Sequence, residues 1–209
     1  MATLKARPKD PSKEVVIATR NTGKLRELEA ILAPFSLKLI SLKDFPEIPD
    51  VLEDGATFSE NAGKKARTVA HLTGRLTIAD DSGLCVDVLQ GRPGIFSSRF
   101  AGDKATDRER YQKLLDEMTG IPEGQRGAEF ICVMAIVSPE GEMQTVEGKC
   151  RGRITFTPQG KHGFGFDPIF FVPELGKTMA ELTPEVKNQI SHRGQALKKL
   201  KLILPQFLA

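Results

Sequence analysis

The 209-residue chain has no tryptophan, a single tyrosine and only three cysteines. Cys85, Cys132 and Cys150 lie far apart without a Cys-x-x-Cys pair. That spacing argues against a zinc knuckle or a disulfide framework and predicts reduced, buried thiols. Nowhere do about eighteen apolar residues run together, so no membrane span is expected. An excess of either charge is lacking too: 30 lysines and arginines against 27 acids leave +3. So small a net charge gives no argument for nucleic acid or an anionic membrane as partner. Residues 1–14 are polar and lack the apolar core of a signal peptide. A mobile tail is expected there, then a single domain over residues 15–209, in the cytoplasm. With 40% hydrophobic residues, that length can bury a core.

What is present is polar chemistry carried on apolar strands. Leu76-Thr77-Ile78-Ala79 runs straight into Asp80-Asp81-Ser82-Gly83, which predicts a strand ending in two carboxylates. Buried carboxylates are costly without a cation or donors, so this end suits a hard divalent ion such as Mg²⁺. An Asp-rich turn closed by Ser82 and Gly83 is the alternative. Residues 15–18 predict a central strand, and Thr19-Arg20-Asn21-Thr22-Gly23-Lys24 leads to a helical pattern that starts at Leu25 and stops at Pro34. Strand, polar loop and helix make a phosphate-site geometry. First-turn N–H groups are unpaired and carry partial positive charge, while Thr19, Asn21 and Thr22 add donors and Lys24 a full charge. The spacing is not that of a P-loop, and ordinary strand-to-helix turns use the same residue types.

Residues 37–40 predict a second strand. Thr57-x-x-Glu60 is a capping box that opens a helix. Ala62, Ala66 and Ala70 can pack close to a sheet, leaving Lys64, Lys65 and Arg67 to water or an anion. A right-handed crossover back to the Asp80 strand would bring Glu53, Lys65 and Asp81 to one end of the sheet, where α/β proteins build their sites. Residues 84–89 read as a separate extended piece, Arg99 as an unassigned loop residue, and the helix opened by Thr106-x-x-Glu109 as structural. Residues 128–137 and 143–148 predict a hairpin with Ile131, Val133, Ala135 and Val137 on its buried face. Between residues 160 and 171, glycines alternate with phenylalanines. That leaves room for a flat ligand on Phe164 or Phe166, unless the loop pins those rings into the core. Ser191, His192 and Arg193 cluster at the start of a last helix with Leu197, Leu200 and Leu204 on its apolar face. There they are either structural or placed to read a base edge or a phosphate.

Five of these segments occur in an order that resembles the inosine triphosphate pyrophosphatase (XTP/dITP diphosphatase) family. They are Thr19-Arg20-Asn21-Thr22-Gly23-Lys24, Thr57-Phe58-Ser59-Glu60-Asn61-Ala62, Ala79-Asp80-Asp81-Ser82-Gly83-Leu84, Gly163-Phe164-Gly165-Phe166-Asp167-Pro168 and Ser191-His192-Arg193-Gly194-Gln195-Ala196-Leu197. The resemblance implies an α/β fold, a mixed central sheet flanked by helices, with two lobes around a deep nucleotide-binding cleft. It implies hydrolysis of ITP, dITP and XTP to monophosphate and pyrophosphate, with Mg²⁺, by a homodimer. It further implies that Asp81 is the catalytic acid and a metal contact, Glu53 the second metal ligand and Lys65 the active-site lysine. Thr19, Arg20, Asn21, Thr22, Gly23, Lys24 and Ser82 would contact the nucleotide. Phe164, Gly165, Phe166, Asp167, Lys187, His192 and Arg193 would hold the purine. Phe166 stands where the family commonly has tyrosine, so a hydroxyl contact is lost or replaced. Arg20 stands where relatives often have a smaller residue.

These readings combine into one mechanism: water attacks the α-phosphorus with Asp81 as base, and Lys24 and Lys65 neutralise the departing pyrophosphate. A donor-rich pocket including His192 and Arg193 would accept the purine O6 and mispair adenine's amine. Guanine also carries O6, so its exclusion requires a clash at the 2-amino group, which no residue in the sequence identifies. Two other classes remain as alternatives. A nucleotide-sensing module without hydrolysis is opposed by the acids Glu53, Asp80 and Asp81. A single-strand nucleic-acid binder using the phenylalanines around Gly165 is opposed by the balanced charge.

Overall fold

The protein is described by a computed structural model over residues 14–35 and 37–208. Of the tail expected over residues 1–14, residues 1–13 lie outside the described residues, and Glu14 opens the first strand. That strand, β1 (Glu14–Ile17), is buried throughout, as an apolar run between two parallel neighbours should be. On one side it pairs with β2 (Lys38–Ser41), reached through helix α1 (Thr22–Leu32). On the other it pairs with β3 (Leu76–Val86), reached through α2 (Phe58–Thr73). Beyond β3 the sheet turns antiparallel, through β4 (Gly127–Val137), β5 (Met143–Ile154), β6 (Phe170–Val172) and β7 (Lys177–Thr178). The sheet order is β2-β1-β3-β4-β5-β6-β7, a mixed α/β architecture. Helices α3 (Asp107–Glu117), α4 (Pro184–Ile190) and α5 (His192–Ile203) complete it. No helix among the described residues is long and apolar enough to cross a membrane.

Strand alternation divides the core. Val15, Ile17 and Ile78 pack with Leu28 and Leu32 of α1 and Leu197 and Leu200 of α5. Val16, Ala18 and Ala79 face the small residues Ala62, Ala66 and Val69 of α2. A third cluster, around Leu84, Leu114, Phe130 and Phe170, fills the far end of the sheet. The expected one-sided burial of β4 is corrected here. Cys132, Met134 and Ile136 are buried in the first cluster while Val133, Ala135 and Val137 are buried in the second, because helices cover both faces of this strand. The three cysteines are free, and burial pushes the Cys132 and Cys150 thiols up to about 12 and about 11.

Two boundaries also differ from expectation. Helix α1 starts at Thr22 rather than Leu25, because the Asn21 side chain accepts hydrogen bonds from the Gly23 and Lys24 N–H groups and caps it early. Strand β3 does not end at Asp80–Gly83 but runs through to Val86, in register with β4 along its length. The turn alternative falls with that ladder. Gly83 permits the passage: a Cβ there would fall on the Gly94 carbonyl oxygen and 2.7 Å from Ser97 Oγ. Ser97 Oγ in turn accepts from the Leu84 N–H at 2.9 Å. Gly83→Ala must therefore displace this turn, and a loss of about 3 kcal/mol in urea unfolding is expected.

Candidate active site

Because side chains alternate along a strand, neighbouring acids in mid-strand point to opposite faces. Asp80 shares the face of Ile78 and meets α1 and α5: Lys24 Nζ lies 2.8 Å from its carboxylate and Arg193 Nη2 3.3 Å. Ser82, two residues on, donates its hydroxyl to the same carboxylate at 2.7 Å. Asp81 shares the face of Ala79 and meets α2, accepting from Asn61 Nδ2 at 3.0 Å and from the Ser82 N–H at 2.9 Å. The two acids therefore do not share a site. Their acidities separate accordingly. Burial would raise Asp80, but Lys24, Arg193 and Lys65 outweigh it and hold the carboxyl well below the usual range. Asp81 is pushed up to about 6, first by burial and then by the neighbouring Glu53 carboxylate, against the Asn61 hydrogen bond and the Lys65 and Lys24 charges.

Glu53 arrives from the loop before α2. It is ion-paired with Lys65, whose ammonium also donates to the Asp80 carbonyl at 2.9 Å. Burial works against the charge on Lys65, yet Asp80, Glu53 and Asp81 together raise its pKa, so it stands as a fixed cation. Lys64 has the fate expected of the other basic residues on this helix, pairing with Asp54 near the surface. Arg99, unassigned in the sequence, donates to the Glu53 carbonyl at 3.0 Å and so tethers the Glu53 loop to the turn after β3.

The phosphate-type loop divides in two. Asn21 and Lys24 line the cleft, whereas Thr19, Arg20, Thr22 and Gly23 are not part of its wall. Thr19 Oγ1 accepts from the Asn21 N–H at 3.2 Å, and Gly23 packs against the Phe164 ring. Arg20 turns to Asp50 at 2.8 Å and to the Ile48 carbonyl.

Opposite this helix start lies the Gly-Phe loop. Phe166 is buried at 4% exposure in the third core cluster and also forms part of the cleft wall, so it braces the loop from the core side. Phe164 is the more accessible ring, with Lys187 Nζ 4.8 Å and the Arg193 guanidinium 5.6 Å from its centroid. Asp167 accepts from Lys187 at 2.5 Å and from the Phe164 N–H at 2.8 Å. Glu27 of α1 holds the same cations, Lys187 at 3.1 Å and Arg193 at 2.6 Å. Against the pull of burial, Asp167 and Glu27 keep Lys187 charged.

His192 is buried and stacked on Phe130, ring centroids 4.6 Å apart, with no hydrogen-bond partner for Nδ1 among the described residues. Burial, then Arg193 and Lys187, lower its pKa well below the ordinary value, so the imidazole is neutral. A group that binds its proton more weakly when folded is fully stabilising above its unfolded pKa, near 6.5 for histidine. That stability is lost as pH falls, here by up to about 1.4 kcal/mol per pH unit below roughly 6.5. Because Asp81 titrates in the same window with the opposite sign, the contribution is read as a difference: in urea unfolding at pH 7.5, 6.5 and 5.5 the native protein should lose more stability, or gain less, on acidification than His192→Gln does.

Together these groups line a cleft that is open to solvent. Asn21, Lys24, Glu53, Asp81 and Ser82 line one part of it. Phe164, Gly165, Phe166, Asp167, Lys187, His192 and Arg193 line another, with Lys65 behind Glu53. Along its wall the cations Lys24, Arg110, Lys187 and Arg193 face the carboxylates Glu53, Asp81, Asp107 and Asp167, four against four. Of the acids at the Glu53 end, Glu53 is paired with Lys65 while Asp81 has no ion-pair partner among the described residues, so an ionised Asp81 is a locally uncompensated charge. Sequence reading missed Asn61, Glu27, Asp107 and Arg110. Asn61 sat within a quoted motif, and its place one turn into α2 was the available signal; the other three were indistinguishable from surface charges.

Fold and cleft together define a mixed α/β protein with a charged cleft walled on one side by phenylalanines. The chain belongs to the Ham1 family, which matches residues 15–203. It is 52% identical over 187 residues to a dITP/XTP pyrophosphatase of Geobacter sulfurreducens, covering 90% of this chain and 94% of that protein. A dITP/XTP pyrophosphatase of Geobacillus kaustophilus is 52% identical over 188 residues, covering 90% and 92%. The solved structure of a HAM1 protein from Coxiella burnetii superposes with a TM-score of 0.84 at 45% identity, over 92% of this chain and 98% of that one.

Proposed function

We propose that the protein hydrolyses the non-standard purine nucleoside triphosphates ITP, dITP and XTP to the monophosphate and pyrophosphate. The observation that carries this reading is Asp81, a buried carboxylate in no ion pair among the described residues. It is tuned to about 6 and faces a cleft that runs from a helix start to a phenylalanine wall. In the metal-free protein a carboxylate so tuned suits a general base at neutral pH. The relatives named dITP/XTP pyrophosphatases support the substrate class.

Asp81 accepts the proton of the water that attacks the α-phosphorus, its orientation set by Asn61 and the Ser82 N–H. Lys24, at the start of α1, lies on the phosphate path. Lys65, held protonated, contributes charge rather than a base. The uncompensated Asp81 carboxylate would repel a triphosphate, and together with Glu53 it offers hard oxygen donors on the cleft wall, so these residues fit Mg²⁺. Bound by that pair, Mg²⁺ would supply charge neutralisation on the phosphates and a more acidic attacking water. At the other end Phe164 gives the base a ring to stack on. Lys187 and Arg193 present only donors, which suit a 6-oxo purine and leave adenine's amine unpaired. As the family resemblance implies, the working form is a cytoplasmic homodimer.

Pyrophosphate release from ITP, dITP, XTP, GTP and ATP, with Mg²⁺ and with a chelator, tests this reading. Metal-dependent release from the first three, about 100-fold above the last two in kcat/KM, is the expected result. Equal turnover of ATP and ITP, or orthophosphate as the product, would overturn it.

A further inference from the structure

Helix α3, which reads from sequence as purely structural, carries Arg110 into the wall of the cleft. Its guanidinium has one hydrogen-bond partner among the described residues: Nη1 donates to Asp107 Oδ1 at 2.7 Å. Nε is buried and unpaired, an unusual state for a group that is costly to desolvate. The second oxygen of Asp107 accepts the Gly165 N–H at 2.7 Å. The neighbouring Phe164 N–H goes instead to Asp167, which belongs to the Lys187 side. Successive N–H groups of the Gly-Phe loop are thus held by two carboxylates, each paired with a different cation. Arg110 reaches the cleft wall through Asp107 and the Gly165 N–H, and Lys187 through Asp167 and the Phe164 N–H.

We propose that Arg110 is a specificity-determining residue that reads the C2 edge of the purine; this rests on the triphosphatase reading above. Guanidinium is donor-only. Facing C2, it hydrogen-bonds the 2-oxo group of xanthine, meets only C–H in hypoxanthine and is set donor against donor with the 2-amino group of guanine. That is the clash which a pocket selecting O6 alone cannot provide. Asp107 is the positioning residue: it fixes Arg110 and the loop at once.

The test is kcat/KM of native protein and Arg110→Gln on XTP, dITP and dGTP. An amide can turn either a donor or an acceptor towards C2, so XTP should lose at least about tenfold more than dITP, while dGTP gains relative to dITP. An equal fall on all three substrates would reduce Arg110 to a structural prop and overturn the inference. Inhibition of native dITP turnover by XMP, IMP and GMP gives a second readout that needs no variant, with XMP expected tightest and GMP weakest. GMP binding as well as XMP would also overturn it. Failure of the native protein to hydrolyse either dITP or XTP would strike the underlying function itself, a result distinct from turnover with an unchanged substrate ratio.

Discussion

Asp81→Asn is expected to lower kcat for dITP by about 10³-fold, within the range found when a general base is removed. The substitution keeps size and shape; because Asn61 and the Ser82 N–H donate to different carboxylate oxygens, the amide keeps the Ser82 bond and turns its NH2 towards Asn61, weakening that contact. Stability should move the other way. Asp81's carboxyl is raised from 3.8 to about 6 in the folded protein, so its ionised form opposes folding. The sign follows from linkage: the folded state binds the proton more tightly, and the destabilisation is absent below about 3.8 and complete above about 6. The full shift corresponds to roughly 3 kcal/mol, from which the weakened Asn61 bond must be subtracted. In chelator at pH 8, Asp81→Asn should therefore unfold at higher urea than the native protein, by on the order of 1 kcal/mol. A variant both inactive and markedly less stable would mean that Asp81 is part of the frame, not the reacting group.

Asp80→Asn, one residue away, should do the reverse. Asp80 is 3% exposed and neutralises Lys24 and Arg193, the latter only 2% exposed. Removing one partner of such a buried pair leaves uncompensated charge and costs about 3–5 kcal/mol. Its stabilising contribution, from a lowered folded pKa, is complete at neutral pH and lost only as acid protonates the carboxylate. Turnover per folded molecule should fall by no more than about 100-fold, through displaced Lys24, and not through loss of a base. The comparison is made by urea unfolding and dITP assays on the two variants side by side. Stability changes of the same sign would contradict the assignment of the acids to opposite faces.

The opposed roles of these neighbours mark where sequence reading stops. Apolar residues running into Asp80-Asp81 announced polar chemistry on a strand, and the crossover rule placed Glu53, Lys65 and Asp81 together. Whether the strand ended there depended on its ladder with β4, more than forty residues away. Once it continues, alternation alone sends Asp80 to α1 and α5 and Asp81 to α2. Glu27 shows the same limit more sharply. On α1 it is one charge among several, and only the packing of α4 and α5 makes it the carboxylate that holds Lys187 and Arg193. Phe164 and Phe166 were equal candidates for stacking because spacing does not reveal which ring the core takes. Capping was legible in part. Thr106 and Glu109 form the reciprocal box, whereas Glu60 passes over Thr57 and accepts from the Ala56 N–H. Local signals fixed the elements, and contacts between distant elements decided which of their side chains became the site.

The most direct test of the central claim is hydrolysis of dITP in ¹⁸O-labelled water, with the products followed by ³¹P NMR. Attack at the α-phosphorus predicts dIMP carrying the label and unlabelled pyrophosphate. Label in pyrophosphate, or the appearance of dIDP and orthophosphate, would contradict the placement of Asp81 and its water at the α-phosphorus.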